Sequence, residues 1–179
     1  ALSYVIYLYR RETPVQKSLV NNALYIALFP QLIAGPIVRF HDVASQIVQR
    51  QTRMGDFIYG IERFIIGLGK KVLLANVLGR TADYIFSLPP DRIPMSLAWI
   101  GAISYTLQIY FDFSGYSDLA IGTARVLGVR FPINFFSPLK AVGIVDFYRR
   151  WHITLTRVIA RFLYVPLSMS GARLATRWK

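Results

Sequence analysis

Two long stretches of this sequence, residues 18–38 and 93–111, contain no charged side chain. An uncharged apolar run of about 18 residues or more is long enough to cross the ~30 Å of bilayer hydrocarbon as a helix. A helix of that length on a soluble protein normally carries a polar stripe along one face. Neither stretch has such a stripe, so the sequence predicts an all-α, polytopic transmembrane protein.

The predicted spans are not all straight rods. An apolar segment closes at Tyr9, and the run 18–38 is interrupted by Pro30, Gly35 and Pro36. Proline inside a helix removes a backbone hydrogen bond, and in hydrocarbon the freed carbonyl needs another partner. The side chain of Gln31 is a candidate for that partner. We therefore expect a kinked or re-entrant segment here.

The remaining segments differ in polarity. Residues 39–56 are polar and predict a helix on the membrane surface, and 153–169 is a final apolar segment. Residues 57–79 are largely apolar but contain charged side chains, which must face protein, water or headgroups. Those charged residues are Glu62, Arg63, Lys70 and Lys71.

The formal net charge of +12 raises the question of nucleic-acid binding. The basic residues lie between apolar runs and form no block, which favours loops on the cytoplasmic side of a membrane over a nucleic-acid surface. Counting Lys and Arg places 39–71 and 125–161 inside and 80–92 outside. The absence of cysteine excludes disulfides and a thiol nucleophile. With only two histidines, far apart, we predict no metal site.

The motif FDFSGYSD at 111–118 places Asp112 and Asp118 around serine and glycine residues. The two carboxylates suit a cation site or an acid–base pair, since intramembrane carboxylates usually have partners. The alternative is a helix break in which serine and aspartate cap loose amides and pair with nearby arginines. The spacing alone favours this second interpretation, with a glycine-rich turn at the end of the span.

The motif FYRRWHITL at 147–155 gathers Arg149, Arg150, Trp151 and His152 where a basic loop meets an apolar segment. An arginine pair suits a donor phosphate or a lipid headgroup, and tryptophan suits stacking or the membrane interface. His152 is a candidate general base near neutral pH. The alternative is an interfacial belt in which these side chains only anchor the chain. His41 lies in a polar segment and is assigned no role.

Three segments, 23–40, 105–141 and 146–155, closely resemble the membrane-bound O-acyltransferase family, in the branch that acetylates alginate. Transferases that attach D-alanine to teichoic acid form a related branch. The resemblance implies a polytopic helical protein with a central funnel, through which an acyl group passes from a cytoplasmic donor to an acceptor on the other face. It implies that residues 1–179 are part of one transmembrane domain, truncated at both ends.

The family is associated with two histidines, and the resemblance places the first at His152. The second, usually the principal catalytic one, belongs to an apolar helix that this sequence does not contain, so the chain alone is expected to be inactive. The sequence departs from the family pattern at Tyr7, where Asp is common. It also departs at Ala160 and Arg161, in place of an Arg-Asp pair, and at 168–169, in place of two glycines.

The resemblance thus implies an acetyltransferase of the bacterial inner membrane that modifies an extracellular polysaccharide such as alginate. The donor would be acetyl-CoA or an acyl carrier, used as a co-substrate, with no bound cofactor. Expected partners are the lipid bilayer and periplasmic or membrane-anchored acetylation proteins, with no nucleic acid. His152 would act as base or proton relay, Arg149 and Arg150 would hold phosphates, and Asp112 and Asp118 would shape the site. Competing hypotheses are D-alanyl transfer, a transporter and a non-catalytic scaffold.

Overall fold

The computed structural model describes residues 2–32 and 35–169, and these ranges contain helices and loops but no β-strand. The prediction of an all-α protein is therefore confirmed. The α-helices in chain order are α1 (Leu2–Tyr9), α2 (Leu19–Ala27), α3 (Phe40–Val48), α4 (Met54–Gly69), α5 (Asn76–Phe86), α6 (Met95–Val126), α7 (Ile144–Arg150) and α8 (Ile153–Ile159). Turns of π-helix follow α4 at Lys70–Ala75 and α8 at Ala160–Tyr164, and short 3-10 helices lie at Phe29–Gln31, Pro90–Arg92 and Pro138–Lys140.

A long helical hairpin organises the chain. α4, the first π-helical turn and α5 run without interruption and pack along the whole of α6 in the opposite direction. The 32 residues of α6 correspond to a helix of about 48 Å. The turn between the two arms contains Pro89 and the 3-10 helix that follows it. The loop 87–94 therefore lies at one end of the hairpin, and the start of α4 lies beside the end of α6 at the other.

Glycines allow the two arms of the hairpin to approach closely. A Cβ atom added to Gly60 would lie 2.8 Å from the carbonyl oxygen of Gly122, and one added to Gly122 would lie 2.6 Å from the carbonyl oxygen of Gly60. Gly67 and Gly115 are related in the same way, at 2.7 and 2.9 Å. Real Cβ atoms do not come this close to backbone. Both crossing points, Gly60 with Gly122 and Gly67 with Gly115, therefore require residues without a side chain.

Charged side chains on α4 and the π-helical turn pair with carboxylates on α6. Asp118, whose side chain is 6% exposed, accepts from Arg63 at 2.6 Å and from Lys70 at 2.6 Å. Lys71 donates to Asp112. These pairs confirm that the charges in 57–79 face protein, except for Glu62, which is exposed. The π-helical turn contributes to the pairing, since it holds both lysines that face α6.

The predicted turn at 111–118 is wrong, because α6 continues as a regular helix through this segment. Serine, glycine and aspartate are weak helix formers, but tertiary packing overrides propensity here. Ser114, Gly115, Ser117 and Asp118 are all buried, and a side chain on Gly115 would collide with α4. The ion pairs that the helix-break interpretation expected for the two aspartates are nevertheless present, so that part of the interpretation is confirmed.

Residues 18–38 do not form one helix, as a simple span would require. α2 ends at Ala27, a 3-10 turn containing Pro30 follows, and residues 36–39 have no regular secondary structure. The cause is the predicted one: Pro30 lacks the backbone N–H that would continue the helix. The Gln31 side chain donates to the carbonyl of Tyr25, which lies in the last turn of α2, where the carbonyls have no further helical turn to bond. The broken segment is therefore confirmed, and the continuous helix is not.

The N-terminal helices share a core with the end of the hairpin. α3 turns Phe40, Val43 and Ile47 inward, where they pack with Tyr25 of α2 and Ile121 of α6. The described end of the chain runs from α8 through the second π-helical turn to helical residues 165–169. The run 93–111 falls almost entirely within α6, but none of the helices in the described residues is both long and apolar enough to cross a bilayer.

Candidate functional site

The candidate site lies where the junction between α7 and α8 packs against the loop that contains Asn134. The Ile153 amide donates to the Asn134 carbonyl at 2.9 Å, and the Phe136 amide donates to the Arg150 carbonyl at 2.9 Å. His152 itself has φ 44° and ψ 52°, the left-handed conformation. Non-glycine residues adopt it at a cost of roughly 1–2 kcal/mol. The surrounding hydrogen bonds hold the histidine in this conformation and fix the direction of its side chain.

Asn134 is the centre of the hydrogen-bond network at this site, and it is 0% exposed. Its Nδ2 donates to Ser117 Oγ of α6 at 3.0 Å. Its Oδ1 accepts from His152 Nδ1 at 2.9 Å, from the Thr154 hydroxyl at 2.9 Å and from the Thr154 amide at 3.3 Å. The Thr154 hydroxyl in turn accepts from the Ile37 amide at 3.0 Å. The network therefore joins four separate stretches of chain.

This network determines which nitrogen of His152 carries the proton. The Thr154 amide can only donate, and it donates to Oδ1 of Asn134, so an oxygen faces the imidazole ring and requires a donor at Nδ1. The neutral imidazole then has its lone pair on Nε2. No hydrogen bond to Nε2 is made by any residue in 2–32 or 35–169. Burial lowers the pKa of His152 below its ordinary value, which keeps the ring neutral near pH 7. His152 is therefore held as a base.

Aromatic rings form one wall of the site. Phe113 of α6 meets the His152 ring edge-to-face at 4.8 Å between centroids, and Phe135 lies nearly parallel to it at 6.4 Å. Trp151 packs on Phe135 at 5.0 Å and on Phe147 at 5.5 Å. Trp151 thus belongs to an aromatic cluster shared by α6, α7 and the loop between them. This cluster lowers the local dielectric around His152 and accounts for the direction of its pKa shift.

The two arginines of the motif have different surroundings. Arg150 donates to Asp146, one turn earlier on α7, at 2.9 Å, and its guanidinium lies 5.7 Å from the centre of the Phe136 ring. Arg149 is exposed and makes no ion pair with a carboxylate in the described residues. The arginines therefore do not form a matched pair. Arg149 is the one available to an external anion.

Asp112 and Asp118 lie on the hairpin and not at the imidazole. Their oxygens contact Lys71, Arg63 and Lys70 across the helix pair, and within the described residues no hydrogen bond or ion pair links either to His152. Asp118 does adjoin the site through its neighbour Ser117, which binds Asn134. The two carboxylates thus support α6 behind the histidine. A cluster of side chains able to hold a metal ion is absent from the part of the chain that the structure describes.

Sequence reasoning missed Asn134, Ser117 and Thr154. A usable signal was present at Asn134, which is a lone amide in the apolar sequence FPINFFSP between two prolines. Such a polar residue is buried only when its hydrogen bonds are satisfied. Ser117 was noted only as part of the supposed turn. Thr154 follows the histidine motif but gives no separate signal.

A helical chain with a histidine fixed as a base beside an aromatic wall is an arrangement suited to proton transfer in a transferase or hydrolase. Comparison with known proteins specifies the class. The model of the membrane-bound O-acyltransferase family matches residues 8–177, which is nearly the whole chain. The chain therefore belongs to the membrane-bound O-acyltransferase family.

The names of individual relatives give several different acceptors. The chain is 43% identical to a probable alginate O-acetylase of Pseudomonas syringae, over 98% of the chain and 34% of the relative. It is 43% identical to a peptidoglycan O-acetyltransferase of Helicobacter pylori, over 83% of the chain and 28% of that protein. Identity to a teichoic acid D-alanyltransferase of Bacillus subtilis is 29%, over 74% of the chain and 34% of the relative. The chain thus spans about a third of the length of these relatives.

Proposed function

We propose that the protein transfers an acetyl group to hydroxyl groups of an extracellular polysaccharide, as a membrane-embedded O-acyltransferase of the bacterial inner membrane. Family membership and the 43% identity to a probable alginate O-acetylase carry this proposal. The neutral imidazole of His152 is a base of the kind that acetyl transfer to a hydroxyl group requires. Alginate is the first candidate acceptor, and the peptidoglycan O-acetyltransferase relative makes other cell-surface glycans the next.

The proposed step is a thioester-to-ester exchange. Nε2 of His152 accepts the proton of the acceptor hydroxyl, directly or through a second group, as its oxygen attacks the acyl carbonyl carbon. The carbon–sulfur bond of the donor thioester then breaks, and the departing sulfur receives the proton from the imidazolium. The new ester and a free thiol are the products. The Asn134 contact stabilises the imidazolium, because the hydrogen bond from Nδ1 to Oδ1 becomes stronger when its donor is charged.

Donor binding is assigned to the arginines of the histidine motif. An acetyl-CoA or a phosphopantetheine-type carrier presents phosphate oxygens, which guanidinium groups bind through two parallel hydrogen bonds. The exposed position of Arg149 supports direct contact with the donor. Arg150, held by Asp146, is assigned to shaping that surface together with Trp151. Asp112 and Asp118 are assigned the supporting role that their contacts with α4 and its π-helical turn suggest.

Large exposed apolar side chains support a location in the membrane. On the hairpin, Leu73 is 70% exposed, Ile65 61% and Trp99 62%. Soluble proteins rarely leave such side chains uncovered over a contiguous surface. Lipid and neighbouring helices of a larger transferase domain would cover them. The exposed apolar surface and the family membership are therefore the two grounds on which we propose multi-pass insertion.

The arrangement of the charged loops supports the proposed topology. Asp56, just inside α4, pairs with Arg125 at 2.9 Å and with Arg130 at 3.1 Å. Asp56 of the 39–71 stretch thus lies with two arginines of the 125–161 stretch at one end of the hairpin, and loop 87–94 lies at the other. We place the first end in the cytoplasm with the donor. The acceptor and any periplasmic or membrane-anchored partner proteins would then lie on the opposite side.

D-alanyl transfer to a teichoic acid is the second candidate, favoured by the 29% identity to a teichoic acid D-alanyltransferase. It uses the same exchange with a different acyl group. The two functions differ in the product released from the cell surface by mild alkali, which is acetate in one case and D-alanine in the other. Chromatography of that released fraction from cells expressing the full-length protein distinguishes them.

The role of His152 is tested by substitution in the full-length protein. His152→Ala is expected to leave expression intact and to reduce acyl transfer by about 10²–10⁴-fold, the usual range for a lost positioned base. His152→Gln retains a hydrogen bond to Asn134 and is expected to restore part of the activity. His41→Ala is the matched control and should retain full activity. Full activity in both His152 variants would contradict the assignment.

A further inference from the structure

Four arginines surround one cavity on the side of the chain where the end of α1, the start of α3 and the end of α8 meet. The cavity has a volume of about 420 Å³, within the ~300–1,000 Å³ range of small-molecule sites. It is lined by Arg10, Arg39, Arg157, Ala160, Arg161 and Val165. None of these residues belongs to the histidine motif. The lining of this cavity therefore shares no residue with the site assigned above.

Two of the four positive charges are already neutralised. Arg39 makes two hydrogen bonds of 2.9 Å to Asp42, and Arg161 pairs with Glu12 at 2.7 Å. The remaining two, Arg10 and Arg157, make no ion pair within residues 2–32 and 35–169. The cavity wall therefore has an excess of two positive charges. Like charges brought together in this way repel each other unless an anion lies between them.

Aromatic rings hold two of the guanidinium groups at the cavity. The guanidinium of Arg10 lies 5.7 Å from the centre of the Phe162 ring, and that of Arg161 lies 5.5 Å from the centre of the Tyr7 ring. Such cation–π contacts restrict the side chains and reduce the entropy lost when they bind a ligand. Tyr7 and Arg161 are two of the positions at which this sequence departs from the family pattern. In the structure they contact each other.

We propose that this cavity binds a phosphate group carrying about two negative charges, as a phosphate monoester or a pyrophosphate diester. The charge of such a group matches the two unpaired arginines, and guanidinium binds phosphate oxygens in pairs. Ala160 and Val165 provide apolar wall for the organic part of the ester. The ligand is either a soluble phosphate compound or a phospholipid headgroup, which share this chemistry. The inference does not depend on acyl transfer.

The test is protection of arginines from phenylglyoxal, which modifies accessible guanidinium groups. The full-length protein is purified in a non-ionic detergent and treated with the reagent, and the extent of modification at each arginine is read by peptide mass spectrometry. The probes are inorganic pyrophosphate and, separately, phosphatidic acid in mixed micelles with phosphatidylcholine micelles as reference. At a probe concentration ten times its Kd, modification of Arg10 and Arg157 should slow about tenfold. Arg92, exposed in the loop at the other end of the hairpin, is the control and should not be protected.

Each outcome decides the proposal. Protection by pyrophosphate alone identifies a soluble phosphate ligand, and protection by phosphatidic acid alone identifies a lipid headgroup. Protection by both supports the shared phosphate chemistry. Protection by neither, equal protection of Arg92, or no reaction of Arg10 and Arg157 in the absence of probe overturns the proposal. In Arg157→Gln, protection of Arg10 should be lost, whereas in Arg92→Gln it should remain.

Discussion

Replacing Asn134 by aspartate tests whether this residue controls the protonation of His152. The substitution is nearly isosteric and retains an oxygen that accepts from His152 and Thr154, while Ser117 can donate its hydroxyl to the new carboxylate. What changes is the charge beside the imidazole. The experiment therefore perturbs the pKa of the histidine and leaves its position largely unchanged.

The expected shift follows from the 2.9 Å contact between Asn134 Oδ1 and His152 Nδ1. Placing the charge centres at about 4 Å, with an effective dielectric constant near 20, gives an attraction of about 4 kcal/mol. At about 1.4 kcal/mol per unit, this is an upper value near three pKa units. His152 is half-buried, so part of the field is screened by solvent. We expect the pKa of His152 to rise by about one to three units.

The role of the imidazole determines whether the pH profile of activity moves to higher or lower pH. Catalysis requires the neutral ring, and the wild-type pKa is lowered by burial, so wild-type activity should persist to pH values below the ordinary histidine range. In Asn134→Asp the ring stays protonated to higher pH, and the acid limb of kcat should move upward by the same one to three units. The assay is acyl transfer by the full-length protein in proteoliposomes between about pH 5 and 9.

A control separates this effect from general loss of structure. Ser117→Ala removes the other hydrogen bond of the Asn134 amide without adding charge, and should leave the position of the acid limb unchanged. A profile for Asn134→Asp that falls in amplitude but keeps its wild-type acid limb would refute the reasoning. Such a result would mean that Asn134 serves only to hold the loop.

Three further predictions concern the hairpin and its orientation. Single cysteines at Ser87 and Ser137 should differ in labelling by an impermeant maleimide in intact cells, with the first labelled and the second protected; the reverse order would contradict the proposed topology. Gly122→Ala should lower the unfolding temperature in detergent, because its Cβ would lie 2.6 Å from a carbonyl oxygen of α4, and an unchanged midpoint would show that the helices can separate without cost. Asp118→Asn should destabilise the protein by about 3 kcal/mol, since it leaves two cations facing a neutral amide, as measured by chemical unfolding. Stability equal to wild type would mean that Arg63 and Lys70 are solvated without Asp118.

Much of the fold could be predicted because the decisive signals were local. The charged side chains within 57–79 had to find partners, and the structure pairs Arg63, Lys70 and Lys71 with α6. Pro30 had to end a helix, and Gln31 donates to a carbonyl in the last turn of that helix. In each case the chemistry of one or two residues was sufficient to predict the outcome.

The errors and omissions arose where contacts between distant residues decide the structure. The segment 111–118 is rich in poor helix formers, and only the glycine contacts between α4 and α6 explain why it remains helical. Asn134 could not be linked to His152 from sequence, because the left-handed conformation of His152 and backbone hydrogen bonds between residues 134–136 and 150–153 bring the two together. The ion pairs of Asp112 and Asp118 were expected, but their distance from the imidazole required the structure.

The hydrogen bonds of Asn134 also have a consequence for the order in which the chain acquires its structure during synthesis. The Ile37 amide binds the Thr154 hydroxyl across 117 positions of sequence, whereas both arms of the helical hairpin are complete by Val126. Contacts between nearby segments form first, because closing a long loop costs more chain entropy. The hairpin can therefore form while the histidine motif is still inside the ribosome. The environment of His152 is therefore assembled after the hairpin, and until Thr154 has been synthesised Asn134 lacks two of the donors that satisfy its Oδ1.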